Sequence, residues 1–218
     1  MPKFQAWIIK FGGSLAGTPA LDACLRGLAA AAWPSVLVPG GGVLSRAVRD
    51  AQSAWAFDDV VAHRMAILAM TQYGLVLASR APGLTCVDLR TLENTPAKRP
   101  VVWLPRLIDV EAMDRAGIPN AWSVSADSIA LWLGQHLASP GLLLVKSCTP
   151  EQLLGAPAVD ADTLGLPEVF AASGRLFAVP KPLLPQLAAN GVVDAALPVL
   201  SARAHAPAIY VYCLKSIV

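Results

Sequence analysis

The chain has 218 residues, is 55% hydrophobic and 15% charged, and carries a formal net charge of +2. A chain of this size can bury a substantial core, and its apolar composition excludes an intrinsically disordered protein. So small a net charge, with no dense Lys/Arg block, sets aside nucleic acid and acidic membranes as expected partners.

The opening Met1-Pro2-Lys3-Phe4 runs almost directly into a strand, which leaves no room for a signal peptide. The uncharged run over residues 27–45 is broken by Pro34, Pro39 and three glycines, so it makes a poor membrane span. Four widely spaced cysteines, Cys24, Cys86, Cys148 and Cys213, lack Cys-x-x-Cys spacing and read as buried reduced thiols. Together these features predict a cytoplasmic enzyme.

Residues 6–10 read as the first strand, which delivers Lys10 and then Gly12, Gly13 and Ser14. Glycines at a strand end let main-chain N–H groups approach a phosphate, and a following helix would turn its positive end to the same anion. An ordinary tight turn is the competing reading. Thr18 and Pro19 look like the cap and first position of a helix running to residue 32. A short apolar strand at 35–38 then leads into a second glycine loop, Gly40, Gly41 and Gly42. A strand–helix–strand unit of this kind places both loops at one edge of a parallel sheet.

The helix after the second loop carries Arg46 and Arg49 one turn apart, either as solvated charges or aimed at an anionic substrate. Asp58 and Asp59 open a long helix over residues 60–78, in which His63, Ile67 and Met70 or Thr71 share a stripe. His63 is either a structural histidine or a ligand-binding one. Strands are expected at 85–89 and 100–104, joined by a polar connection through Asn94, Pro96, Lys98 and Arg99. A short helix follows at 109–116. Ser125 then caps an apolar helix with Asp127 in its first turn, where dipole compensation alone would account for the acid. Residues 141–145 form an apolar strand ending in Lys146. Beyond residue 150, strands are expected at 176–179 and 209–214, with a helix at 182–190 closed by Gly191.

Two glycine loops, two strand-terminal lysines and an aspartate at a helix start suit phosphoryl transfer between anions. Lys10 and Lys146 would flank the migrating group and Asp127 would hold both ammonium groups. Neither Gly-x-x-x-x-Gly-Lys-Ser/Thr nor a Gly-x-Gly-x-x-Gly after the first strand occurs, which excludes the usual P-loop and weakens a dinucleotide site.

Lys10-Phe-Gly-Gly-Ser14, Pro39-Gly-Gly-Gly42 and Ser125-Ala-Asp-Ser128 resemble the signature blocks of the amino acid kinase superfamily, in matching order over roughly residues 6–150. The resemblance implies a three-layer αβα sandwich with a mainly parallel central sheet, ATP as donor and Mg²⁺ carried largely by nucleotide phosphates, so no protein metal ligand is assigned. It implies a single domain over 1–218, with about 1–150 as the catalytic and acceptor-binding part and 151–218 as a divergent nucleotide-side part. Lys10, Asp127 and Lys146 would be catalytic. Gly12, Gly13 and Ser14, with Lys146, would serve the ATP phosphates, and Gly40, Gly41, Gly42 and His63 the acceptor. Homo-oligomers, dimers or higher, are common among such proteins.

The segment Ala62-His-Arg-Met-Ala-Ile-Leu-Ala-Met-Thr-Gln-Tyr-Gly74 resembles the small kinases of methanofuran biosynthesis, which act on (5-aminomethylfuran-3-yl)methyl phosphate. It implies transfer to a phosphomonoester to give a diphosphate. Kinases of isopentenyl phosphate, a nucleotide or a carboxylate, and a non-catalytic nucleotide-binding or storage protein, are the alternatives. The resemblance stops after residue 150: Ser147-Cys-Thr-Pro150 replaces Val-Asp-Gly, and Ala178-Val-Pro-Lys-Pro182 stands where Gly-Gly-Met-x-x-Lys is usual, leaving Lys181 as a substitute.

Overall fold

The computed structural model describes residues 5–172 and 174–214, so the Met1–Phe4 run read above for a signal peptide lies outside the described residues. Eight strands form one sheet: β1 (Trp7–Phe11), β2 (Ser35–Pro39), β3 (Thr85–Val87), β4 (Val101–Trp103), β5 (Gly141–Lys146), β6 (Ala158–Val159), β7 (Gly174–Ala178) and β8 (Ala208–Leu214). Their order is β3-β4-β2-β1-β5-β8-β7-β6. Neighbours are parallel from β3 through β8, and β7 and β6 run antiparallel at one edge. Helices are α1 (Pro19–Ala31), α2 (Gly42–Trp55), α3 (Asp59–Ser79), α4 (Leu89–Asn94), α5 (Leu107–Arg115), α6 (Ala126–His136), α7 (Val169–Ala172), α8 (Leu184–Ala189) and α9 (Leu197–Ser201).

The central strands are apolar throughout because both faces are covered, as parallel sheets require. Ile8, Val36, Leu142 and Val211 pack against α6, α8 and α9 on one face. Ile9, Leu37, Leu143 and Tyr212 pack against α1 and α7 on the other. The result is the expected αβα sandwich with a mainly parallel sheet. Helix α3 is long and apolar enough to cross a membrane by length and composition. Here it contributes Ile67 and Met70 to one core and Tyr73 and Leu77 to the other, leaving Val60, Leu68, Leu75 and Val76 exposed.

Local signals start the main helices where expected. Thr18 accepts from Leu21 N at 3.2 Å, Asp58 from Val61 N at 2.9 Å and Ser125 from Asp127 N at 3.3 Å. Three expectations are corrected. β3 stops at Val87 because Asp88 caps α4, accepting from Thr91 N at 2.8 Å, so a helix occupies part of the expected polar connection. The helix expected at 182–190 opens as a 3₁₀ turn, Lys181–Leu183, before α8. Cys86 is exposed and Cys148 half-buried, so only Cys24 and Cys213 are the buried thiols foreseen.

The two glycine loops meet at the C-terminal edge of the sheet. β1 pairs with both β2 and β5, and its bonding continues past its end: Gly12 N donates to Val145 O at 3.0 Å, and Gly40 N to Phe11 O at 3.1 Å. The loops then touch backbone to backbone. A Cβ on Gly13 would lie 2.6 Å from both Cα and N of Gly42, closer than real Cβ contacts come. Gly42 itself has a φ of +56°. Only glycine at position 13 permits this approach. Gly13→Ala is expected to force the loops apart and to destabilise the protein by about 1–3 kcal/mol, the usual range for overpacking, as measured by denaturant unfolding. An unchanged unfolding midpoint would show that the loops do not need this contact.

Candidate active site

Strand parity sets the centre of the site. Lys10 on β1 lies beside Leu144 on β5, and Lys146 lies two residues further along the same face, so both ammonium groups point to the side covered by α6. The first turn of α6 carries Asp127 down between them. Asp127 Oδ1 is 2.8 Å from Lys10 Nζ, and Lys146 Nζ donates to Oδ2 at 2.5 Å. Lys10 and Asp127 are 5% and 2% exposed, which makes the pairing obligatory, because a lone buried ion carries a large desolvation cost.

Burial lowers the Lys10 pKa to about 8, against the opposing attraction of Asp127 and with the help of the Lys146 charge. For Asp127, burial acts to raise the pKa. The charges and hydrogen bonds of Lys10 and Lys146 overcome it and hold the carboxyl well below the usual carboxylate range. The aspartate is therefore a fixed anion. Its role reaches well beyond compensating a helix dipole.

A cavity of about 280 Å³ opens on one side of Lys10, walled by Gly40, Gly41 and Gly42, Arg46, His63 and Trp122. A second, of about 300 Å³, opens on the other side, walled by Gly12, Ser14, Lys146, Ser147 and Gly191. Lys10 and Gly13 line both. The first cavity receives the N-terminus of α2, with Gly41 at its cap. The anion-attracting helix end expected at the first glycine loop is absent there. That loop continues into a single 3₁₀ turn, Gly13–Leu15, and α1 starts only at Pro19. Across the second cavity, Ser14 Oγ and Ser147 Oγ lie 2.9 Å apart, tying the β1 and β5 loops together.

His63 is 5% exposed and lines the first cavity with Ile67 and Met70, so the stripe read along α3 is its wall. Burial lowers its pKa below the ordinary imidazole value, opposed by Asp114, and so favours the neutral ring. Both arginines also line this cavity. Three residues not singled out from the sequence as functional complete the site: Trp122, Gln52 and Asp194. Trp122 Nε1 donates to Gln52 Oε1 at 2.6 Å, and the Arg49 guanidinium lies 3.8 Å from the centre of its ring. Lys181, the candidate substitute for the usual C-terminal lysine, is exposed and does not line the second cavity.

No cluster of three or more His, Cys, Asp or Glu residues suited to a metal occurs among the described residues. Asp127, the acid at the centre, already has an ammonium group on each oxygen. An ion beside Asp127 would therefore depend on oxygens of the ligand and water.

No family model matches the chain, and no curated protein matches it. Among solved structures it is similar to uridylate kinase from Archaeoglobus fulgidus, with a TM-score of 0.62, 14% identity, and coverage of 97% of this chain and 91% of that one. It is also similar to UMP kinase from Bacillus anthracis, with a TM-score of 0.51, 14% identity, and coverage of 92% and 84%.

The charge network gives a direct test. Because Lys146 lowers the Lys10 pKa and Asp127 raises it, Lys146→Met is expected to move it above about 8 and Asp127→Asn below. Titration of labelled lysine side chains by NMR reads both shifts, and opposite signs would overturn the assignment of the network. In architecture the chain shares the αβα fold, with its mainly parallel central sheet, of the uridylate kinase from Archaeoglobus fulgidus.

Proposed function

We propose that the protein is an ATP-dependent kinase that transfers the γ-phosphoryl group to a small phosphomonoester, giving a diphosphate and ADP. The observation that carries this reading is the placement of Lys10 in the wall shared by two cavities, each edged by a glycine loop, with Asp127 linking it to Lys146. ATP phosphates occupy the Gly12, Gly13 and Ser14 side with Lys146, and the acceptor phosphate the side of Gly40, Gly41, Gly42 and His63.

The acceptor's phosphate oxygen attacks the γ-phosphorus, the bond to the β–γ bridging oxygen breaks, and the electron pair leaves on ADP. A phosphate oxygen already ionised at neutral pH has no proton to lose, so no general base is needed. That fits a site whose buried acid is locked between two lysines. Lys10 neutralises charge on the group in transit, and Lys146 does so on the donor side. Neutral His63 can offer one N–H to the acceptor phosphate, and Arg46 and the α2 N-terminus supply positive potential. Mg²⁺, held by the nucleotide phosphates, would supply further charge neutralisation.

The acceptor side has an apolar floor of Ile67, Met70, Val124 and Ile129 beside Trp122. It suits a compact, weakly polar body. The resemblance along α3 makes a furan-methyl phosphate of methanofuran-type cofactor synthesis the first candidate. Isopentenyl phosphate and UMP, the latter suggested by the names of the similar structures, are the next to try. A homo-oligomer accompanies this reading, with the exposed apolar residues of α3 as the surface available for contact.

Incubation with ATP, Mg²⁺ and a panel of phosphomonoesters, followed by ³¹P NMR, is expected to show a new diphosphate signal. Lys10→Ala should lower kcat by about a hundredfold or more, the scale of losing a transition-state charge contact, with little change in nucleotide affinity. His63→Ala should raise the acceptor KM by about tenfold. Tight nucleotide binding without transfer to any acceptor would replace the kinase reading with a storage or regulatory one.

A further inference from the structure

The divergent C-terminal part reaches the centre of the site through one side chain. Gly191 and Val192 line the donor-side cavity, and two residues later Asp194 turns toward the start of α6. Its Oδ2 accepts from Ser125 N at 2.8 Å, Ser125 Oγ at 2.8 Å and Ser128 N at 2.9 Å. Its Oδ1 accepts from Ser128 Oγ at 2.5 Å and from Leu197 N at 2.9 Å. Next to it, Ala196 N donates to Ser123 O at 3.0 Å. An ordinary helix cap supplies a single side-chain acceptor, and Ser125 already fills that place for α6. Asp194 instead grips the turn on both sides of Asp127.

We propose that Asp194 is a positioning residue for phosphoryl transfer, one that fixes the first turn of α6, and with it Asp127 and both lysines, against the wall of the donor cavity. The proposal rests on the kinase reading above. The same turn faces the other substrate, because Ser125 and Ala126 line the acceptor cavity. One carboxylate therefore ties together donor wall, central aspartate and acceptor wall. Its charge also favours the Lys10 ammonium, adding to that of Asp127.

The position is structurally demanding. Asn at this site keeps the size but turns an NH₂ group toward donors that need an acceptor, so at least one N–H of the turn loses its partner. A purely structural residue would lower the melting temperature and leave the turnover of folded molecules unchanged. A positioning residue would alter turnover and the state of Lys10.

The test compares wild type, Asp194→Asn, Asp194→Glu and Ser128→Ala by steady-state kinetics and by NMR titration of Lys10. Asp194→Asn is expected to lower kcat by about tenfold or more, with both KM values within about threefold, the pattern of an interaction felt in the transition state. It should also lower the Lys10 pKa from about 8. Asp194→Glu restores the charge and the Lys10 titration without restoring the rate, because the longer side chain displaces the turn. Ser128→Ala, the milder variant if Asp194→Asn does not fold, should lower kcat about threefold or more through loss of one hydrogen bond. Unchanged kcat and unchanged Lys10 titration would overturn the proposal, whatever the melting temperature does. If the wild type transfers no phosphoryl group, the kinase reading fails, and the NMR signals of Lys10 and Lys146 in Asp194→Glu, where the charge is kept, then read the turn itself: shifted signals support the positioning role and unshifted ones overturn it.

Discussion

The site depends on one buried carboxylate holding two ammonium groups. Lys10 and Lys146 stand on neighbouring parallel strands, and without Asp127 their charges would repel in a poorly solvated space. Burial alone would drive Lys10 toward its neutral form and Asp127 toward its protonated one. Each opposes that in the other: Asp127 stays ionised, and Lys10 keeps a pKa of about 8 in place of a lower one. The fold is arranged to keep this triad in place: both strands are covered on both faces, and α6 is anchored at its first turn by Ser125 and Asp194.

Around that centre the chain uses backbone where charge would be excessive. The loops after β1 and β2 contact each other directly at Gly13 and Gly42, so the two cavities share a thin wall containing Lys10. A side chain at position 13 would thicken that wall and move the two cavities apart. The cavities differ in character. The cavity beside Gly12 and Ser14 is polar and lined by serines, whereas the one beside Gly40, Gly41 and Gly42 combines cationic groups with Ile67, Met70, Ile129 and a Trp122 held by Gln52. Such a division suits a polyphosphate on one side and a phosphate with a small organic body on the other.

Much of this is legible locally. Thr18, Asp58 and Ser125 announce helix starts by side-chain chemistry that acts within one turn. The apolar runs of β1, β2 and β5 identify fully covered strands, and the lysines near the end of β1 and at the end of β5 stand out against them. Less was legible beyond residue 150, where β6, α7 and α9 are only two to five residues long. Elements so short hold their shape through tertiary packing and leave no clear periodicity. Asp88 shows the same limit earlier in the chain, since its capping of α4 cut short a strand that composition alone would extend.

From its order of residues alone, the chain determined a strand–helix–strand unit in a parallel sheet, two glycine loops at one sheet edge, and Lys10, Asp127 and Lys146 as a charge set, because strand patterning and helix capping are short-range rules; the αβα sandwich came from the resemblance of its motif blocks. Tertiary structure decided how the loops meet, that Lys10 belongs to both cavities, that the helix end serves the second loop, and that Trp122, held by Gln52, walls the cavity beside it. It also decided that Asp194, 67 positions beyond Asp127, grips the turn that carries it. Such contacts join residues far apart in sequence, and no local pattern encodes which distant side chain will meet a given helix end.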